Sequence, residues 1–192
     1  MRVLAVSGSL RDGSYNTSLL REAAALAPDG VEVELWDGLK AVPPYDEDDD
    51  IEPAPASVAR LRAAVAGADA LLFSTPEYNH SIPGQLKNAI DWLSRPLAAT
   101  PLRNKPVAVI GASSGVFGAV WSQAELRKVL ASTGARVLDV ELACGQAASR
   151  FDGGRLADDE LREPLREIVE RLVEEVRVSQ RLRAGDPAAV AA

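Results

Sequence analysis

Short apolar runs rich in β-branched residues alternate with longer segments of helical period, and this alternation limits the fold more than any other feature of the chain. Val3 to Ser7 is a buried-strand run ending at Gly8. From Asn16 to Ala27 apolar residues recur at helical spacing, and Pro28-Asp29-Gly30 stops the pattern. Val31 to Trp36 alternates with period two, as an edge strand does. Ser57 caps a further helical run, Asp69 to Ser74 is a strand, and Gly84 to Ser94 is a helix. Pro106 to Gly111 is a strand, Gly118 to Ser132 a helix and Ala135 to Leu142 a fifth strand. Asp158 to Arg183 is a long amphipathic helix, with Pro164 expected in its first turn or at a kink. Five strands separated by helices predict an α/β chain, a five-stranded parallel sheet with helices on both faces. Right-handed crossovers make it a doubly wound three-layer sandwich. In such folds the ligand sits at the carboxyl ends of the strands. The loops after Ser7, Ser74 and Ile110 are therefore the expected ligand-binding loops.

The chain is long enough for one domain, expected over 1–184, with a frayed tail at 185–192. Between 37 and 56 lies an irregular stretch whose acidic run, Asp46 to Asp50, suits a solvated loop better than a metal site. A net charge of -7 argues against nucleic acid and against an anionic membrane as partner. No apolar run approaches the ~20 residues of a membrane span. Cys144 is the single cysteine, so no internal disulfide is possible and a reducing compartment fits. One Cys and one His cannot build a Cys/His zinc site. The chain enters Arg2-Val3-Leu4-Ala5-Val6 without a signal-peptide pattern, so a cytoplasmic location is expected.

The first loop, Gly8 to Thr17, joins a buried strand to a helix N-terminus, where free N–H groups and a partial positive charge attract phosphate. It adds the hydroxyls of Ser9, Ser14 and Thr17, the amide of Asn16 and the guanidinium of Arg11. These are the donors a phosphate monoester needs; the plainer alternative is a capped turn. Gly8 and Gly13 have the spacing of a nucleotide-triphosphate loop, but no Lys follows, and the dinucleotide fingerprint is absent. A mononucleotide phosphate fits better. The loop after the third strand, Thr75 to Gly84, is stiffened by Pro76 and Pro83. Its backbone donors and the ring of Tyr78 suit the edge of a planar heterocycle, and the alternative is a polar turn before a helix.

Gly8-Ser9-Leu10-Arg11 with Ser14 and Asn16, then Pro76-Glu77-Tyr78-Asn79, Ser81-Ile82-Pro83-Gly84 and Leu86-Lys87-Asn88-Ala89-Ile90-Asp91-Trp92, resemble the NADPH-dependent FMN reductase family. That flavodoxin-like group contains bacterial quinone, chromate and azo-dye reductases. The resemblance covers roughly 2–180 and implies a flavodoxin-like sandwich binding FMN, with NADPH or NADH as cosubstrate. It implies Ser9, Arg11, Ser14, Asn16 and Thr17 at the FMN phosphate. It places Pro76, Glu77, Tyr78, Asn79 and Ser81 at the isoalloxazine ring. Ser113, Ser114 and Gly115, in the turn after the fourth strand, match the family's third contact segment. Many relatives carry more glycine there than Val116 and Ala119 allow. It also implies a homodimer or homotetramer, with Ile90, Trp92 and Leu93 of helix 84–94 as candidate interface residues.

A cofactor that carries hydride needs orientation and electrostatics from the protein, not a general acid or base. The implied reaction passes hydride from the nicotinamide to FMN. From there it goes to a small-molecule acceptor: a quinone, an azo or nitro compound, a metal oxyanion or oxygen. Reduced FMN released to a flavin-dependent oxygenase is a variant of the same chemistry. No catalytic side chain is assigned. A flavodoxin-type electron carrier is the alternative, although Arg11 departs from the Thr-rich phosphate loop of such carriers. Gly111-Ala112-Ser113-Ser114-Gly115 also satisfies the G-x-S-x-G pattern of a serine hydrolase. The only histidine, His80, precedes the serine, which is the wrong order for that triad. A phosphoacceptor signalling domain would need acidic residues at the strand ends, where Ser7-Gly8 and Ser74-Thr75 stand.

Overall fold

The computed structural model describes residues 1–183, so the expected frayed segment 185–192 lies outside the described residues. The elements run β1 (Arg2–Ser7), α1 (Tyr15–Ala25), β2 (Glu32–Trp36), α2 (Ala56–Ala66), β3 (Ala70–Thr75), α3 (Gly84–Leu93) and β4 (Pro106–Ala112). They continue with α4 (Val120–Ser132), β5 (Arg136–Val137), β6 (Ala143–Cys144), α5 (Ala147–Arg150), β7 (Phe151–Asp152), β8 (Arg155–Leu156) and α6 (Asp159–Arg183). Strand order is β2-β1-β3-β4-β5, with β6 also on β4, and every pair is parallel. This is the flavodoxin-like three-layer sandwich, and the order reverses between β1 and β3.

Period two along the strands builds two cores. Leu4, Val6, Leu71, Phe73, Val107 and Val109 face α2, α3 and α4, while Val3, Ala5, Leu72, Ala108 and Ile110 face α1 and α6. β3 and β4 are buried along their whole length, whereas β2 keeps exposed alternate residues, as an edge strand should. Among the described residues no helix is long and apolar enough to cross a membrane.

Several expectations are corrected. The fifth strand is not continuous from Ala135 to Leu142: on the side of β4 away from β3, the pairing among the described residues is split between the two-residue strands β5 and β6. Between Val107 and Gly111 on β4 there are four steps, against six between their partners Val137 and Ala143. Two extra residues must therefore leave the ladder, and the Arg127 guanidinium holds the detour by donating to the Val140 carbonyl at 3.3 Å and pairing with Glu141 at 3.0 Å. Helix α4 starts at Val120, not Gly118, because Gly118 and Ala119 are both left-handed (φ 59° and 64°) and cannot continue a right-handed helix. Pro55, not Ser57, is the N-cap of α2. Pro164 lies in the second turn of α6 rather than its first, and the helix is continuous through it. Ile90, Trp92 and Leu93 are all core residues, so α3 does not present them to a partner. The structure adds a hairpin, β7–β8, to the expected elements. Its turn is Gly153-Gly154, both at positive φ, which is the Gly-Gly hairpin signal.

Candidate functional site

The first loop is pulled back over the end of its own strand. The Gly8 N–H donates to the Ser74 carbonyl at 2.8 Å, binding the loop to β3. The Ser7 hydroxyl accepts from the Ser9 N–H at 3.3 Å and from the Thr17 hydroxyl at 3.0 Å. Gly13, at φ 66°, turns the chain into α1, a left-handed conformation that other residues adopt at a cost. Ser14 caps α1, its hydroxyl accepting from the Thr17 N–H at 3.4 Å. The first-turn amides of Tyr15 and Asn16 have no intrahelical acceptor, as at any helix start. Arg11 is exposed and lies over the Tyr15 ring, 5.1 Å from its centroid. Ser9, Arg11, Ser14 and Thr17 thus gather around one helix N-terminus.

Asn16 sits with them but its side chain turns inward. Its amide donates to the Ala112 carbonyl at 2.9 Å, and its oxygen accepts from the Ala112 N–H at 3.0 Å and the Ser74 hydroxyl at 2.8 Å. The side chain therefore fastens α1 to the ends of β3 and β4, and its backbone N–H is the group left toward the loop.

The second loop is a closed turn. Tyr78 and Ser81 exchange both backbone hydrogen bonds, at 3.2 and 3.1 Å, around Asn79 and His80, both at positive φ. Positive φ at both central positions defines a type I′ turn, with Asn well suited to the first. Helix α4 fixes this turn from outside. The Glu77 carboxylate accepts from the Ser122 N–H at 3.2 Å, in the first turn of α4, and lies 3.4 Å from the His80 imidazole. The Ser81 hydroxyl donates to Glu125 at 2.6 Å, and the Thr75 hydroxyl meets that of Ser122 at 2.9 Å. Ser74, Ser122 and Glu125 are positioning residues that sequence reasoning missed. Two of them lie more than forty residues from the turn they hold, and no local pattern marks them.

The third segment is anchored by β6 and α5. The Ser113 N–H donates to the Cys144 carbonyl at 3.0 Å, and the Ser113 carbonyl accepts from the Ala147 N–H at 3.0 Å. The Gly115 carbonyl accepts from the Gln146 N–H at 2.8 Å. Ser114 and Gly115 are exposed beside it. The Ser113 hydroxyl donates to the Gly115 carbonyl at 3.3 Å, while His80 is held by Glu77 and lies edge-on to Trp121 at 5.0 Å. Among the described residues Ser113 and His80 are thus not hydrogen-bonded to each other, as the nucleophile and base of a hydrolase would be. Burial pushes the Cys144 thiol up to about 11, so it stays protonated at neutral pH and offers no thiolate.

The first two loops meet at Gly8. A Cβ there would lie 2.9 Å from Leu86 Cδ2 and 3.2 Å from Pro76 Cδ, so glycine permits the close approach. A cleft of about 390 Å³ lies between them, lined by Leu10, Arg11, Tyr78 and Pro83 among others. A helix N-terminus whose free amides suit an anionic group thus adjoins a rigid turn carrying an aromatic side chain. They stand at the strand-order reversal, where open α/β sheets bind ligands. The donor set and these adjoining features fit a mononucleotide with a planar ring.

Comparison with known proteins gives the class. The sequence matches the profile of the NADPH-dependent FMN reductases over residues 1–149. It is 45% identical over 174 residues to an NAD(P)H-dependent FMN reductase of Pseudomonas aeruginosa, covering 90% of this chain and 93% of that one. It is 41% identical over 140 residues to a quinone reductase of Escherichia coli K12, covering 72% and 74%. A flavoenzyme NAD(P)H:(acceptor) oxidoreductase from Paracoccus denitrificans superposes with a TM-score of 0.83 at 36% identity, covering 92% and 97%. The chain belongs to the NADPH-dependent FMN reductase family. It is an NAD(P)H-dependent flavin oxidoreductase rather than the electron carrier considered as an alternative.

Proposed function

We propose that the first loop holds the FMN phosphate and the second and third hold the ring, so that the chain passes reducing equivalents from NADPH or NADH to a small-molecule acceptor. The observation that carries this reading is the close approach of the first two loops at Gly8, which joins an anion site to a rigid ring site. When bound, FMN supplies hydride acceptance and donation, which no side chain here can perform.

The residues of this chain have simpler tasks. Arg11 neutralises the phosphate, and the hydroxyls of Ser9 and Ser14 orient it together with the first-turn amides of α1, while Thr17, whose hydroxyl donates to Ser7, braces the loop. In the ring loop, the Tyr78 and Ser81 amides are already used within the turn. That leaves the amides of Glu77, Asn79 and His80 as donors toward an electron-rich ring edge, preorganised because the turn cannot relax. Tyr78 supplies an apolar ring face, and Pro76 fixes the entry of the loop. Glu77 and Ser81 act through α4, to which both are bound. Ser113, Ser114 and Gly115 close the site on the β4 side. Quinones, azo or nitro compounds, metal oxyanions and oxygen are the acceptor class.

Assembly as a homodimer or homotetramer in the cytoplasm completes the reading. Support for assembly comes from Val116, Phe117 and Trp121, exposed apolar side chains next to the ring loop, rather than from α3. The test is an anaerobic titration with FMN, then NADPH or NADH, followed by visible absorbance. Flavin binding with rapid bleaching by a nicotinamide is expected. Binding without bleaching would return the carrier, and no binding would overturn the loop assignments.

A further inference from the structure

A second, larger cleft, about 590 Å³, opens on the other side of the first loop, between α1 and the end of β2. Strand β2 lies on the opposite side of β1 from β3, so this cleft faces away from the ring loop. It is continuous with the proposed phosphate site, because Ser9, Ser14 and Thr17 form its inner wall. Its outer wall carries groups of a different kind: Arg21, Trp36, Asp37 and Lys40. The Trp36 indole is held against the backbone of Gly38, where any Cβ would collide with the ring.

The charges are uneven. Among the described residues, Arg11, Arg21 and Lys40 have no carboxylate at ion-pair distance, although all three line this cleft of a chain whose net charge is -7. Asp12 and Asp37 also line it, and Asp37 is 3.8 Å from Arg60. Cations left unpaired around a concavity create a local positive field that attracts an anion. An aromatic ring beside them suits a heterocyclic base, and a carboxylate suits ribose hydroxyls. The volume lies within the roughly 300–1,000 Å³ of small-molecule sites.

We propose that this cleft is a subsite for the adenosine-phosphate half of a dinucleotide. The inference rests on the first loop being the flavin phosphate site. An adenylate joined to that phosphate, as in FAD, would extend from the inner wall into the cleft. The adenosine phosphate of the nicotinamide donor is the other source of the same chemistry.

The experiment uses the full-length chain and the double variant Arg21→Gln/Lys40→Gln, neither residue belonging to the proposed FMN site. Equilibrium titrations with FMN and with FAD, followed by flavin fluorescence, form one arm. The KM for NADPH and for NADH of the FMN-loaded enzyme forms the other. The expected result is that FAD binds the wild-type chain and that the variant loses about tenfold in FAD affinity while FMN stays within twofold. Unchanged FAD binding with a tenfold rise in the KM for NADPH would keep the subsite and assign it to the nicotinamide donor. Equal weakening of FMN and FAD, or no change in either arm, would overturn the subsite and leave the FMN assignment intact. Failure of the wild-type chain to bind either flavin would overturn both.

Discussion

At the scale of single residues, chemistry type and position are separate matters. Asn16 has the right donor type for a phosphate, yet its amide spends its hydrogen bonds on Ala112 and Ser74. Asn16→Ala leaves a buried N–H, a carbonyl and a hydroxyl without that partner. At about 1–3 kcal/mol for a buried group left unpaired, a loss of at least about 2 kcal/mol in unfolding free energy is expected by urea titration. Arg11 is the opposite case, exposed and, among the described residues, set against the Tyr15 ring alone. Arg11→Ala should cost FMN affinity at the lower end of the about 1.5–3 kcal/mol of a charged hydrogen bond, with stability unchanged. An unaltered FMN dissociation constant would remove Arg11 from the phosphate site. Cys144 gives a pH dependence. Its ordinary value is 9.0 and burial raises it to about 11 in the folded chain. The unfolded chain therefore loses this proton first, so the contribution is fully present below pH 9 and is lost as pH rises toward 11. Chemical denaturation at pH 8 and 10.5 should show a decline that Cys144→Ala reduces.

Between elements, the site depends on contacts that join segments far apart in sequence. The ring loop belongs to the β3–α3 connection, but α4 sets its shape through Ser122 and Glu125. The first loop belongs to β1, but Leu86 of α3 and Pro76 press against Gly8. Gly8→Ala would force these two loops apart by a few tenths of an ångström. Because the nearest atom is the flexible end of Leu86, the fold should survive with a small drop in Tm, while FMN affinity falls severalfold. Equal FMN binding by that variant would show that the close approach is dispensable. The broken fifth strand follows the same logic. Its alternation in sequence is real, but the register on β4 leaves two residues over, and a sequence pattern carries no register.

For the molecule as a whole, the exposed aromatic surface is the feature that bears on assembly. Phe117 is 62% exposed and Trp121 43%, their rings 5.0 Å apart at the start of α4. Their replacement by Asp in Phe117→Asp/Trp121→Asp should shift the chain toward monomer in light scattering, with the secondary structure retained by circular dichroism. An unshifted oligomer would place the interface elsewhere.

The sequence by itself determined the α/β class, the strand ends at which the candidate site lies, and the donor-rich first loop with its stiff partner. These are local or periodic properties, written in neighbouring residues. Tertiary structure alone decided that Asn16 fastens strands, that α3 spends its apolar face in the core, and that Ser74, Ser122 and Glu125 position the loops. It also decided that Arg21, Trp36 and Lys40 share one cleft. Each of these depends on which surfaces pack together once the chain has closed, and packing partners distant in sequence leave no local signal.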